Sequence, residues 1–188
     1  MSYYDDEKNV EQYIKMAEGY DGQLLINILE KYLVKGSSVL ELGMGAGKDL
    51  QLLSKAFEVT GSDASRVFLE HFKASNPDAD VLQLDAVTLD TDRQFDAIYS
   101  NKVLYHLTQE QLAISLKQQI KVLNPQGIAL HSFWYGEGNE EMHGLYFAYY
   151  TEQTLRTIFE KDCEVVEIQR YTEMEDNDSL YIVIKKNR

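Results

Sequence analysis

Val39-Leu40-Glu41-Leu42-Gly43-Met44-Gly45-Ala46-Gly47-Lys48-Asp49 is an apolar run that breaks into three alternate glycines and then resumes with helical spacing. In order it reads as a strand, a tight turn and the start of a helix. Glycines suit such a turn because a backbone leaving a strand sharply needs positive φ. They also let a ligand approach peptide N–H groups where no Cβ intervenes. The stretch predicts a cradle for a small ligand at the end of a strand.

Spacing separates the ligand classes that use such a cradle. A phosphate loop of the GxxxxGK[ST] type is one residue out of step, since the lysine comes early after Gly43 and Asp49 stands where a magnesium-binding hydroxyl belongs. A dinucleotide fingerprint, GxGxxG, finds Lys48 in place of its third glycine. That partial match keeps a nicotinamide-dependent oxidoreductase as one alternative. Glu41-Leu42-Gly43-Met44-Gly45-Ala46-Gly47 fits a third pattern without repair. It resembles the E/DxGxGxG motif of the class I S-adenosylmethionine-dependent methyltransferases, in which the loop packs beneath the methionyl part of the cofactor. The resemblance implies that Glu41, Gly43, Gly45 and Gly47 bind S-adenosyl-L-methionine. A glycine turn with no ligand is the plainer alternative.

With 188 residues the chain suits one domain with a sizeable core. We expect a single unit over 1–188, with a helical lead-in at 1–36 and the core at 37–188. Its net charge of −13 leaves no basic stripe to neutralise phosphates, which argues against nucleic-acid partners. The lone Cys163 has no internal disulfide partner, and no apolar run is long enough to cross a bilayer. Met1-Ser2-Tyr3-Tyr4-Asp5-Asp6 lacks the apolar region of a signal peptide, so a cytoplasmic location without membrane contact is expected. Oligomeric state is left open.

Ahead of the glycine loop, Val10, Tyr13, Ile14 and Ala17 draw one apolar stripe, and Leu25, Ile28, Leu29, Tyr32 and Leu33 draw another. Two helices therefore precede the first strand, an arrangement similar to the family's, where a helical lead-in can lid the cofactor. Aromatic faces attract a sulfonium cation, which makes Tyr20, after the helix break, and Tyr13 candidate closing groups.

Beyond the loop, Phe57 to Gly61 returns as a second strand ending at Ser62-Asp63. Asp63 follows Gly43 by about the twenty residues at which a doubly wound site places an acid on ribose hydroxyls. Val81-Leu82-Gln83-Leu84 is a third strand ending at Asp85-Ala86. By resemblance, Asp85 meets the adenine amino group and the Ala86 backbone meets the ring. Phe95-Asp96-Ala97-Ile98-Tyr99-Ser100-Asn101 is the fourth strand and is similar to the family's FD strand. Ser100 and Asn101 then face the cofactor, and Lys102 to Leu107 lies beside the transferable methyl. His106 is the candidate proton acceptor, with Tyr105 behind it. No acids cluster at this strand end, so no metal is expected.

Thr108 and Gln111 make a capping box for a long helix, which a turn at Asn124-Pro125-Gln126-Gly127 ends. Ile128 to Trp134 is the fifth strand. The aromatic segment from Tyr135 to Tyr150 reads as a loop with a function, and with Trp134 it offers Tyr135, His143 and Tyr146 as a substrate pocket. Cys163 to Tyr171 and Ser179 to Lys185 are joined too tightly for a helical crossover and should pair antiparallel. The whole predicts an α/β fold: a Rossmann-like, doubly wound seven-stranded sheet, mostly parallel with a terminal antiparallel hairpin, in a three-layer α/β/α sandwich. The implied activity is methyl transfer from S-adenosylmethionine to a small-molecule acceptor. A non-catalytic S-adenosylmethionine-binding protein is the remaining alternative.

Overall fold

Strands and helices alternate through the computed structural model, which describes residues 3–187. Met1 and Ser2, where the leader reading begins, and Arg188 lie outside the described residues. A 3₁₀ turn (Tyr3–Asp5), α1 (Glu7–Met16) and α2 (Gln23–Leu29) precede β1 (Ser38–Leu42), α3 (Lys48–Leu53) and β2 (Glu58–Asp63). Then come α4 (Arg66–Ser75), β3 (Val81–Gln83), β4 (Phe95–Ser100) and a second 3₁₀ turn (Leu104–His106). The chain ends with α5 (Gln109–Val122), β5 (Leu123–Trp134), β6 (Asn139–Met142), β7 (Leu145–Ala148), α6 (Glu152–Phe159), β8 (Cys163–Tyr171) and β9 (Ser179–Lys186).

Seven strands form one sheet in the order β3-β2-β1-β4-β5-β9-β8. The first five run parallel, and β9 enters antiparallel between β5 and β8. This is the predicted doubly wound sheet with its antiparallel end. Side chains alternate between two apolar layers, as the two-residue strand period demands. Val39, Ala97, Tyr99, Leu130 and Val183 pack with Leu25, Ile26, Leu29 and Leu53 on one face. Leu40, Leu42, Ile98, Ala129 and Ile182 pack with Leu112, Leu116, Leu155 and Phe159 on the other. Burial of both faces explains why these strands read as unbroken apolar runs.

The order reverses at β1, whose neighbours are β2 on one side and β4 on the other. Here the crossover connections leave in opposite directions, and a crevice opens past the carboxyl ends of β1 and β4. The capping box at Thr108 and Gln111 is present.

Two local readings change. The expected turn at 124–127 lies inside β5: Leu123 already pairs with Phe95 across a bulge, and Gln126 takes a φ of 68°. Asn124 Nδ2 donates to Asp96 Oδ1 at 2.8 Å, which keeps this kinked segment on the sheet. The expected loop at 135–150 contains a two-stranded antiparallel hairpin, β6–β7, turning at His143 and Gly144, both with positive φ. Its strands are charged and aromatic rather than β-branched, so local sequence does not mark them.

Candidate active site

Three alternate glycines turn the chain from β1 into α3, all with positive φ: 68° at Gly43, 49° at Gly45 and 76° at Gly47. Packing adds a second constraint at two of them. A Cβ on Gly47 would stand 2.3 Å from the Phe72 ring, and one on Gly43 would stand 2.5 Å from Val103. At Gly45 the nearest atom is Tyr13 Cε1 at 3.4 Å, an ordinary contact, so packing there leaves room for a methyl. The Gly45 N–H donates to Asp63 Oδ2 at 3.0 Å, tying the loop to the end of β2.

Acids crowd this junction. Glu41 is buried at 3% exposure, and its Oε2 has no hydrogen-bond partner. Burial first, then the nearby Asp49 and Asp63 charges, push its pKa well above the ordinary value. Asp49, in the first turn of α3, is also buried but fully engaged. It accepts from Gly22 N at 2.7 Å, Tyr99 Oη at 2.7 Å and Asn101 Nδ2 at 3.1 Å. Asp49 carried no assigned role in the sequence; the signal was an acid two residues after the last glycine of a ligand loop, in the first turn of the helix that follows. Burial raises the pKa of Asp63, while the Ser65, Gly45 and Ala64 backbone N–H groups pull it back.

Glu41 and Asp49 help to floor a cavity of about 120 Å³. Glu41, Gly43, Met44, Ala46, Lys48 and Asp49 form the floor, and Tyr13, Ala17, Tyr20 and Asp21 arch over it. Asn101, Lys102 and Glu173 make the side wall. Four carboxylates thus face two lysines. Lys48 Nζ donates to Ala17 O at 2.6 Å, at the C-cap of α1. Lys102 Nζ bonds Ser179 Oγ at 2.6 Å, pairs with Glu173 at 3.0 Å and lies 3.2 Å from the centre of the Trp134 ring. The pairing of Lys102 with Glu173 was also unread in the sequence, because the two are 71 positions apart and meet only across the folded sheet.

The other sequence-based candidates distribute as follows. Asn101 lines the cavity and accepts from Ser132 Oγ at 2.6 Å. Ser100 is fully buried, with its hydroxyl 2.8 Å from His131 Nδ1 beneath the sheet surface. Asp63 sits under the N-terminal aromatics: Ser65 Oγ bonds Tyr4 O at 2.6 Å, and the Tyr4 and Tyr13 rings pack on each other and on Phe68. Asp85 is exposed and caps its own turn through Val87 N at 2.6 Å, while Ala86 O accepts from Ser115 Oγ. Tyr20 is 47% exposed at the cavity rim, whereas Tyr13 is the ring over Gly45.

Tyr105 and His106 lie off the cavity lining, stacked 4.1 Å apart, with Phe147 against His106 at 4.9 Å. His106 Nδ1 donates to Tyr146 O at 2.8 Å, which fixes the neutral tautomer with its proton on Nδ1 and a lone pair on Nε2. Burial lowers its pKa and raises that of Tyr105. Trp134 carries the Lys102 ammonium on its face, and Tyr135 carries the Arg170 guanidinium at 3.5 Å. Tyr146 lines a separate cleft beside the β6–β7 hairpin, and His143 is exposed at the hairpin turn, apart from the others.

Residues 39–127 match the family described as methyltransferase domain. An uncharacterized methyltransferase of Oceanobacillus iheyensis is 34% identical over 121 residues, covering 63% of this chain and 55% of the relative. The chain spans about half the length of the curated relatives it matches. Among solved structures, Burkholderia thailandensis 1,6-didemethyltoxoflavin-N1-methyltransferase, with 1,6-didemethyltoxoflavin and S-adenosylhomocysteine bound, superposes with a TM-score of 0.76. That match has 19% identity and covers 88% of this chain and 78% of that one. The putative methyltransferase complexed with the Haloferax volcanii Trm112 methyltransferase activator superposes with a TM-score of 0.83 at 15% identity, over 100% and 99% of the two chains. Glycine loop and strand order agree with that match, and the chain has the Rossmann-like fold of these methyltransferases.

Proposed function

We propose that this chain is an S-adenosyl-L-methionine-dependent methyltransferase that acts on a small-molecule acceptor. One observation carries the reading: a buried Glu41 carboxylate with an unpartnered oxygen, in an acid-lined cavity over the glycine loop. Such a group calls for a cation, and the cofactor offers two, an ammonium and a sulfonium. Cavities that take a whole drug-sized ligand start near ~300 Å³. The cavity here therefore suits the methionyl end alone. Ribose would reach Asp63 where Tyr4 and Tyr13 now pack, with adenine toward Asp85 and Ala86.

When bound, the cofactor supplies an electrophilic methyl group. Little covalent chemistry is then left to the protein, which must orient the acceptor and exclude water. Glu41 and Asp49 hold the cation, Gly43, Gly45 and Gly47 shape the floor, and Asn101, with Ser100 behind it, ends the strand beside the methyl. Tyr13 and Tyr20 cover the cavity. Trp134 belongs to the acceptor side through its contact with Lys102, whereas Tyr135, Tyr146 and His143 stand off the cavity lining. His106 takes a proton at Nε2 where the acceptor has one to lose, and Tyr105, a neutral phenol, orients His106 by stacking.

A small-molecule acceptor is supported by the 1,6-didemethyltoxoflavin-N1-methyltransferase, which has this fold and binds 1,6-didemethyltoxoflavin beside S-adenosylhomocysteine. Acidic surface charge favours a partner other than nucleic acid. Among the described residues no helix is long and apolar enough to cross a membrane, and the free Cys163 fits a cytoplasmic site of action. The test is calorimetric titration with S-adenosylhomocysteine, beside a reduced nicotinamide cofactor. We expect micromolar binding of the first, weakened about tenfold in Asp63→Ala. Binding of the nicotinamide alone would overturn the reading.

A further inference from the structure

The side wall of the cavity contains a seat built for an organic ammonium, and its present guest is the chain's own Lys102. Four groups from three separate segments meet at Nζ. The Trp134 ring, at the end of β5, is centred 3.2 Å away, and the Tyr171 ring, at the end of β8, is 5.6 Å away. Glu173 Oε2 stands at 3.0 Å and Ser179 Oγ at 2.6 Å. Two aromatic faces, one carboxylate and one hydroxyl are the set that recognises a desolvated alkylammonium. Glu173 is itself held in place: Tyr171 Oη donates to it at 2.8 Å, and its backbone N–H is bound by Asp178 Oδ1 at 2.9 Å.

Three further features bear on whether the guest can be exchanged. Lys102 and Glu173 both line the cavity, so a ligand there meets the seat without crossing the core. Lys102 holds a φ of 54°, a left-handed conformation that costs a non-glycine residue energy and gathers at functional sites. Its pKa falls to about 8 because burial outweighs the favourable charges of Glu173 and Asp178.

We propose that Trp134, Tyr171, Glu173 and Ser179 form the acceptor subsite, that the acceptor is a small molecule recognised through an ammonium group distinct from the methylated atom, and that Lys102 yields the seat to it. This rests on the proposed methyltransferase reading and narrows its substrate class. It also gives Trp134 a definite task and adds three residues to the acceptor side.

Trp134 is the sole tryptophan of the chain, so its emission reports the seat directly. The experiment titrates the protein with n-butylammonium, with 1-butanol as the neutral isostere and with a lysine-bearing tripeptide. We expect a saturable change in emission with butylammonium and none with butanol, and an apparent Kd at least fivefold weaker in Glu173→Gln. Lys102→Ala should tighten binding at least tenfold, and Lys102→Met clearly less, because methionine keeps the seat filled without charge. Absence of a saturable change in both wild type and Lys102→Ala overturns the proposal, as does equal tightening in the Ala and Met variants. A response to the peptide alone overturns the small-molecule part. Circular dichroism verifies folding of each variant. Calorimetry with S-adenosylhomocysteine on the same samples keeps failure of the amine subsite separate from failure of the cofactor reading.

Discussion

The floor of the cavity and its side wall handle buried charge in opposite ways. On the floor, carboxylates stand together, and backbone N–H groups, a phenol and an amide engage Asp49 and Asp63 while Glu41 Oε2 has no partner. On the wall, one ammonium meets one carboxylate with two rings around them, so the charge is closed within the protein. A floor with an unpartnered acid oxygen favours uptake of a cation from solution, whereas a balanced wall must exchange one cation for another. The difference teaches that the two halves of a transfer site can be told apart by which of them is left electrically incomplete.

Breaking the floor outright should have the largest effect. Gly47→Ala places a methyl 2.3 Å from Phe72 at a φ of 76°, and we expect a loss of about 3 kcal/mol or more in urea unfolding. Gly45→Ala, whose methyl finds 3.4 Å of room, should lose only about 1 kcal/mol. Next comes Asp49→Ala, which strands three donors at a buried site and should cost about 2–4 kcal/mol by the same measurement.

Glu41→Gln should do the reverse: fold stability holds or rises while S-adenosylhomocysteine affinity falls about tenfold. Its pH dependence sharpens the contrast. The folded pKa of Glu41 stands above the ordinary 4.5, so its contribution to stability is intact below pH 4.5 and is lost as pH rises toward the folded value. The variant should therefore gain on wild type as pH climbs from 4.5. For the wall, the Lys102 pKa is lowered from 10.5 to about 8, so stability should rise between pH 8 and 10.5 as the unfolded chain retains the proton longer. Lys102→Met should lack that rise. Smallest of all, Asp85→Ala removes only an exposed turn cap, and we expect about 0.5 kcal/mol in stability with a measurable fall in S-adenosylhomocysteine affinity.

Legibility in the sequence follows the same division. Gly43, Gly45 and Gly47 announce themselves because the positive φ each adopts is a local demand that few other residues meet. Asp63 and Asp85 are marked by their places at strand ends, and the strand order follows from the alternation of elements. The wall is written in contacts between distant positions: Lys102 with Ser179 spans 77 residues, and Asn101 with Ser132 spans 31. No local period records such meetings. The β6–β7 hairpin was missed for a related reason, since Glu140, Glu141 and Tyr146 pair by register rather than by strand propensity.

Gly22 settles where the helical lead-in stops being detachable. Its N–H is clamped by Asp49, and even a methyl there would fall 2.1 Å from Tyr99 Oη, so the backbone at this point is sewn into the sheet. α2, which follows, buries Leu25, Ile26, Ile28 and Leu29, while α1, which precedes, buries Val10 alone. The two helices are therefore different mechanical bodies joined at 17–21. A protease probing the native protein should nick this joint first, releasing α1 and leaving the sheet, α2 and the acid floor as one resistant fragment.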